Sequence, residues 1–74
     1  MKLYILEDEA RIMQHILQIV QKINYLEIVG TSDKISAAAI EIPVLAPDII
    51  LADIRLKDGD SFELLATFLE RHGK

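Results

Sequence analysis

Three carboxylates stand at the ends of short apolar runs. Glu7 and Asp8 follow Leu3 to Leu6 (LYIL), and Asp53 follows Ile49 to Ala52 (IILA) within the stretch DIILADIRLKDGDS, residues 48–61. A charged group delivered to the edge of a core costs free energy unless it is paired or coordinated. Carboxylates held close together resist joint ionisation and invite a proton or a hard cation. Magnesium suits such a set, because it takes oxygen ligands, keeps several waters and usually binds one or two carboxylates plus a phosphate. Aspartate is also a nucleophile toward phosphorus. Phosphoryl transfer asks chiefly for in-line positioning and neutralised charge. The three acids can serve that chemistry only if the chain brings them together.

The elements that must do so are short and alternate in type. Leu3 to Leu6 reads as a buried strand. A helix is predicted from about Ala10 to Ile23, with Met13, Ile16, Leu17 and Val20 at helical spacing and Ile12, Ile19 and Ile23 widening the apolar face. Asp8 is placed as its N-cap. Leu26 to Gly30 reads as a second strand, ended by the turn-prone Gly30 to Asp33. A second helix is expected from about Lys34 to Ile42, capped by Ser32 or Asp33 and ended or kinked by Pro43. Pro47 introduces the third strand, Ile49 to Ala52. Asp60-Ser-Phe-Glu63 resembles a capping box, opening a helix through about Arg71 with Phe62, Leu65, Phe68 and Leu69 on its apolar side.

This order, βαβαβα with short connections, implies a three-layer α/β domain: a parallel sheet with helices on both faces. With strand 1 between strands 2 and 3, giving strand order 2-1-3, the two crossovers leave in opposite directions. Ligand sites in open α/β sheets form at that switch point, outside the carboxyl ends of the strands. Glu7, Asp8 and Asp53 would then share one crevice.

Composition narrows the class. The 74 residues are enough for one domain, and 51% apolar with 27% charged reads as a globular chain. A core of this size seldom supplies more than about 3–5 kcal/mol. There are no cysteines, so disulfides cannot help, and a cytoplasmic setting is the simplest fit. No apolar run has signal-peptide or membrane-spanning length. The net charge is −4, without a basic stripe or aromatic platform, which argues against direct nucleic-acid contact by this segment.

Glu7-Asp8 after strand 1, Pro47-Asp48 entering strand 3 and Asp53-Ile54-Arg55-Leu56 leaving it together resemble the receiver domain of two-component response regulators. Each motif alone is weak; their order and offsets make the likeness specific, and it runs along the whole chain. It implies the N-terminal part of a flavodoxin-like, doubly wound fold. Asp53 would be the phosphoacceptor, taking a phosphoryl group from the phosphohistidine of a sensor histidine kinase. Asp8 would bind Mg2+ directly, Glu7 largely through water, Asp53 itself would be a ligand, and the Arg55 carbonyl a further one. Such a module is a regulator in phosphorelay signal transduction and not an enzyme in the usual sense.

The chain also departs from that pattern. Many receivers carry proline four residues after the phosphoacceptor and glycine eight after it, where this sequence has Lys57 and Ser61, with Gly59 between. The DGDSF form resembles a variant in receivers that precede LytTR-type DNA-binding domains. Residues 1–74 read as a single receiver-like domain without the fourth and fifth βα units, and so without the switch Ser or Thr and the lysine those units carry. Strand 3 then becomes an apolar edge, a template for another chain, so a homodimer or domain-swapped oligomer through that strand is expected.

The competing function is a truncated receiver that folds or self-associates without phosphotransfer. A phosphohydrolase with its nucleophile after strand 1 would need a D-x-D pattern that Glu7-Asp8-Glu9 lacks, and a cobalamin site would need a D-x-H-x-x-G loop. Lys57 reads as a solvated loop lysine. His15 reads as a surface or boundary residue, His72 as part of a fraying terminus, and Tyr4 and Tyr25 as packing residues.

Overall fold

The computed structural model describes residues 1–72, and the side chains of residues 1–66. The elements run β1 (Lys2–Leu6), α1 (Ala10–Val20), β2 (Glu27–Ser32), α2 (Ile35–Leu45), β3 (Ile49–Ala52), β4 (Arg55–Leu56), β5 (Gly59–Asp60) and α3 (Ser61–His72). The main sheet has the order β2-β1-β3 and is parallel throughout. The βαβαβα order and the 2-1-3 topology read from the sequence are therefore those of the fold.

β1 is the spine. Side chains alternate across a strand, so its four apolar residues divide between the two faces. Leu3 and Ile5 join Val20, with Met13, Ile16, Leu17, Leu26 and Ile28 packed around them. Tyr4 and Leu6 join Ala38, Ile42 and Leu56, flanked by Ile35, Leu45, Ile50, Ala52 and Leu64. Helices thus cover both faces of β1, which is why LYIL is a continuous apolar run. The Tyr4 hydroxyl, with its ring fully buried, donates to Glu41 Oε1 at 2.8 Å. At the start of β3, the Asp48 carboxylate accepts the Lys2 N–H at 2.7 Å, and the Asp48 N–H donates to the Lys2 carbonyl at 2.8 Å. Asp48 therefore fixes where β3 joins β1.

Several boundaries differ from expectation. α1 stops at Val20, short of Ile23, because Lys22 and Ile23 donate to Ile19 and Val20, tighter bonds that spend the helix in a final turn. Ile12 and Ile19 are exposed, so the apolar face is narrower than the periodicity suggests. Gly30 lies within β2 and does not end it. A Cβ there would sit 2.8 Å from Leu45 Cδ1 and 2.9 Å from Tyr4 Cε2, so glycine is needed for close approach. β2 also carries an irregularity where Leu3 pairs with Ile28 but Tyr4 pairs with Gly30.

Pro43 lies inside α2, which continues to Leu45. Ala38, Ile42 and Leu45 all pack on the second core, so tertiary burial carries the helix past the missing N–H. Ala46 then ends it in a left-handed conformation (φ 48°), donating to the Ile42 carbonyl at 2.8 Å. Residues 55–60 form a small antiparallel hairpin of β4 and β5. Gly59 has φ 146°, a conformation that favours glycine.

Asp60 does cap α3, its Oδ1 accepting the Phe62 N–H at 2.7 Å. Phe62 itself is exposed, against expectation, and Leu65 is half-buried. The side chains of Phe68, Leu69 and His72 lie outside the described residues. Tyr4 packs as expected, Tyr25 is 69% exposed and does not, and His15 is on the surface.

Candidate metal centre

Parallel pairing places the ends of β1 and β3 side by side. Leu6 pairs with Ala52, and the next N–H along, that of Asp53, donates to the Leu6 carbonyl at 3.0 Å. On the other side the Glu7 N–H donates to the Ser32 carbonyl at 3.0 Å. Rigid backbone therefore aims both residues at the crevice. Carboxylate oxygens of Glu7, Asp8 and Asp53 all lie within 4.8 Å of one another. Glu7 is buried, Asp8 half-buried and Asp53 exposed, so the group grades from the core to solvent. Asp53 is the member of the group most open to solvent.

The donor set fits magnesium. All three groups offer hard oxygen atoms, and metal–oxygen distances of about 2.1 Å place opposite ligands roughly 4.2 Å apart. Oxygens within 4.8 Å of one another are close enough for the carboxylates and an intervening water to meet one ion. Arg55 lies in β4, opposite Asp60, with its side chain exposed.

Hydrogen bonds within the site correct two cap assignments. Asp8 does not cap α1. The N-cap position is Glu9, without a side-chain cap bond, and Asp8 Oδ2 instead accepts the backbone N–H of Lys57 at 2.8 Å. Glu7 Oε2 accepts the Glu9 N–H at 3.2 Å. The α2 N-terminus is capped neither by Asp33 nor by Ser32, whose Oγ accepts the Lys34 N–H at 3.1 Å and donates to the Lys34 carbonyl. The cap comes from Asp58, whose Oδ1 and Oδ2 accept the Ile35 and Ser36 N–H groups at 3.0 and 3.2 Å. These bonds, that to Ile35 foremost, hold the Asp58 carboxyl below its ordinary value of 3.8.

Sequence reasoning also missed Ser61. It is buried, and its Oγ donates to the Asp53 carbonyl at 2.6 Å, with the Ile54 carbonyl at 3.3 Å. Its N–H donates to the Ile54 carbonyl at 2.9 Å. The only signal was the departure itself, a hydroxyl residue where the resemblance expects glycine.

No protein-family model matches the chain. A curated relative, the DNA-binding transcriptional activator DevR/DosR of Mycobacterium tuberculosis, is 26% identical over 70 residues, 95% of this chain and 32% of that protein. Among solved structures, the response regulator PhyR from Brucella abortus superposes with a TM-score of 0.87 at 30% identity, over 97% of this chain and 30% of its own. The anti-anti-sigma factor PhyR from Bartonella quintana gives 0.81 at 26% identity, over 96% of this chain and 29% of its own. The two-component response regulator RcsB in complex with DNA shares the fold, with a TM-score of 0.84 at 21% identity, over 97% of this chain and 37% of its own. This chain thus spans about a third of the length of the proteins it matches. In sequence and in strand order, it corresponds to the first three βα units of a response-regulator receiver domain.

Proposed function

We propose that the chain is a phosphoacceptor module of a phosphorelay, with Asp53 as the acceptor and a sensor histidine kinase as the donor. The observation that carries this reading is the meeting of Asp53 with Glu7 and Asp8 at the β1–β3 switch point. An Asp53 oxygen attacks the phosphorus of the donor's phosphohistidine. The new O–P bond forms as the N–P bond breaks, and the imidazole nitrogen keeps the electron pair. Asp8 and Asp53 would hold Mg2+ directly, Glu7 through water and Arg55 through its carbonyl. When bound, the ion neutralises charge on the transferring oxygens.

The test is incubation with magnesium and acetyl phosphate followed by intact mass measurement. One added phosphoryl group is expected, absent in Asp53→Asn; a wild-type chain that gains nothing would sink the proposal. Among the described residues, no helix is long and apolar enough to cross a membrane. With the cysteine-free composition, this supports a cytoplasmic setting.

A second reading is assembly without phosphotransfer. It is favoured by β3, an edge strand whose Ile49 and Leu51 are 37% and 44% exposed. Under it the chain pairs with a second copy through β3. Sedimentation would show a concentration-dependent dimer; a monomer at high concentration would exclude it. The PhyR likeness adds a third possibility for the output: a protein partner of the anti-sigma class, in place of DNA.

A further inference from the structure

Lys57 occupies the first central position of the turn that joins β4 to β5. Among the described residues Ala46 is the one non-glycine with positive φ, so the φ of Lys57 is negative, and proline is favoured at the first central position of common turns. Proline would bring no N–H. Lysine brings one, and it is spent on Asp8 Oδ2 at 2.8 Å, across 49 residues of chain. The departure from the receiver pattern at this position therefore adds a donor to a carboxylate of the candidate metal centre.

A backbone N–H and a metal ion make opposing demands on one carboxylate oxygen, here Asp8 Oδ2. Each is electropositive, each draws on the same oxygen charge, and a donor seated at 2.8 Å repels a cation approaching beside it. The N–H is part of a hairpin held at both ends, by β4–β5 pairing and by Asp58 on α2, so a cation can take Asp8 Oδ2 from it only by shifting that hairpin. We propose that the Lys57 backbone N–H competes with the cation for Asp8, so that magnesium binds more weakly than the three carboxylates alone would bind it and displaces the Lys57–Asp58 turn when it does. The inference rests on the cation reading above and assigns a positioning role to the backbone of Lys57, not to its ammonium group.

Two substitutions separate backbone from side chain. Lys57→Ala keeps the N–H and removes the ammonium; Lys57→Pro removes the N–H. Magnesium affinity by calorimetry is expected to rise roughly ten-fold or more in the proline variant, as loss of a competing bond to a charged group implies. In the alanine variant it should stay within about two-fold of wild type, as for an exposed charge. A merely disturbed turn would weaken binding, so the direction of change is diagnostic. In the wild-type protein, hydrogen exchange at the Lys57 amide should quicken at saturating magnesium.

Equal or weaker binding by the proline variant overturns the competition. So does a Lys57 amide that keeps its protection while the Glu7, Asp8 and Asp53 amide resonances shift with magnesium. If those resonances do not move at all, the cation reading itself fails. Should Lys57→Pro not fold, the wild-type exchange measurement decides alone.

Discussion

The hydroxyl of Ser61 donates to the main-chain carbonyl of Asp53 at 2.6 Å. The first residue of α3 is thereby tied to the residue that leaves β3, and the backbone of the candidate phosphoacceptor is held from behind while its side chain faces solvent. Ser61→Ala should cost about 1–2 kcal/mol, since a buried bond is lost and a carbonyl loses a partner. Urea denaturation reads that loss. Labelling of Asp53 by acetyl phosphate should also slow in the folded protein, and an unchanged rate would limit Ser61 to stability.

Asp58 predicts a pH dependence. Its folded carboxyl titrates below the ordinary value of 3.8, so the unfolded chain binds the proton first as pH falls. Its stabilisation is then complete above that value and is lost as pH drops through the lower, folded one. Asp58→Asn should lower the urea midpoint at pH 7, and the gap from wild type should close at the acid end. A gap that is constant with pH would show that the charge contributes nothing.

Tyr4 gives the opposite sign. Burial, and then Glu41, push its phenol well above the ordinary value of 10.0, so the unfolded chain loses the proton first on the alkaline side. Stability is complete below pH 10 and falls as pH climbs beyond it. Tyr4→Phe should lose about 1 kcal/mol at neutral pH through the missing bond to Glu41. Part of the alkaline decline should disappear with it, which thermal melts from pH 7 to 11 would reveal.

Gly30→Ala should destabilise by about 1–3 kcal/mol through overpacking, because the new methyl meets the Tyr4 ring and Leu45 at under 3 Å. The paired variant with Leu45→Ala opens space on one side and should recover part of the loss. A neutral Gly30→Ala would mean that β2 can shift away from α2 at little cost.

Strand order and the meeting of Glu7, Asp8 and Asp53 were legible in the sequence. Apolar runs reveal strands, and parallel topology brings acids at their ends together. The bonds that hold the site were not. The donors to Asp8 and Asp58 are backbone N–H groups of Lys57, Ile35 and Ser36, and every non-proline residue carries one. No residue type announces which N–H a distant carboxylate will meet. Asp8 looked like a helix cap because it stands one turn before an apolar face, yet the hairpin offered it a fixed donor. Exposure of Ile12, Ile19 and Phe62 was hidden for a related reason: periodicity marks the face of a helix but not how wide a neighbour covers it. The likeness to LytTR-linked receivers rests on the residues from Asp58 to Phe62 alone, and their observed roles are to cap two helices and turn a hairpin.

The central position of β1 has a consequence in time. Its partners are made later: Lys2 pairs with Glu27, and Leu3 waits for Ile49, 46 residues further on. At a synthesis rate of about 5–20 residues per second, roughly 2–9 s pass between them. Through that interval the most deeply buried strand of the fold has one edge without its partner. A newborn chain therefore exposes LYIL for seconds before the strand that ends in Asp53 exists to cover it.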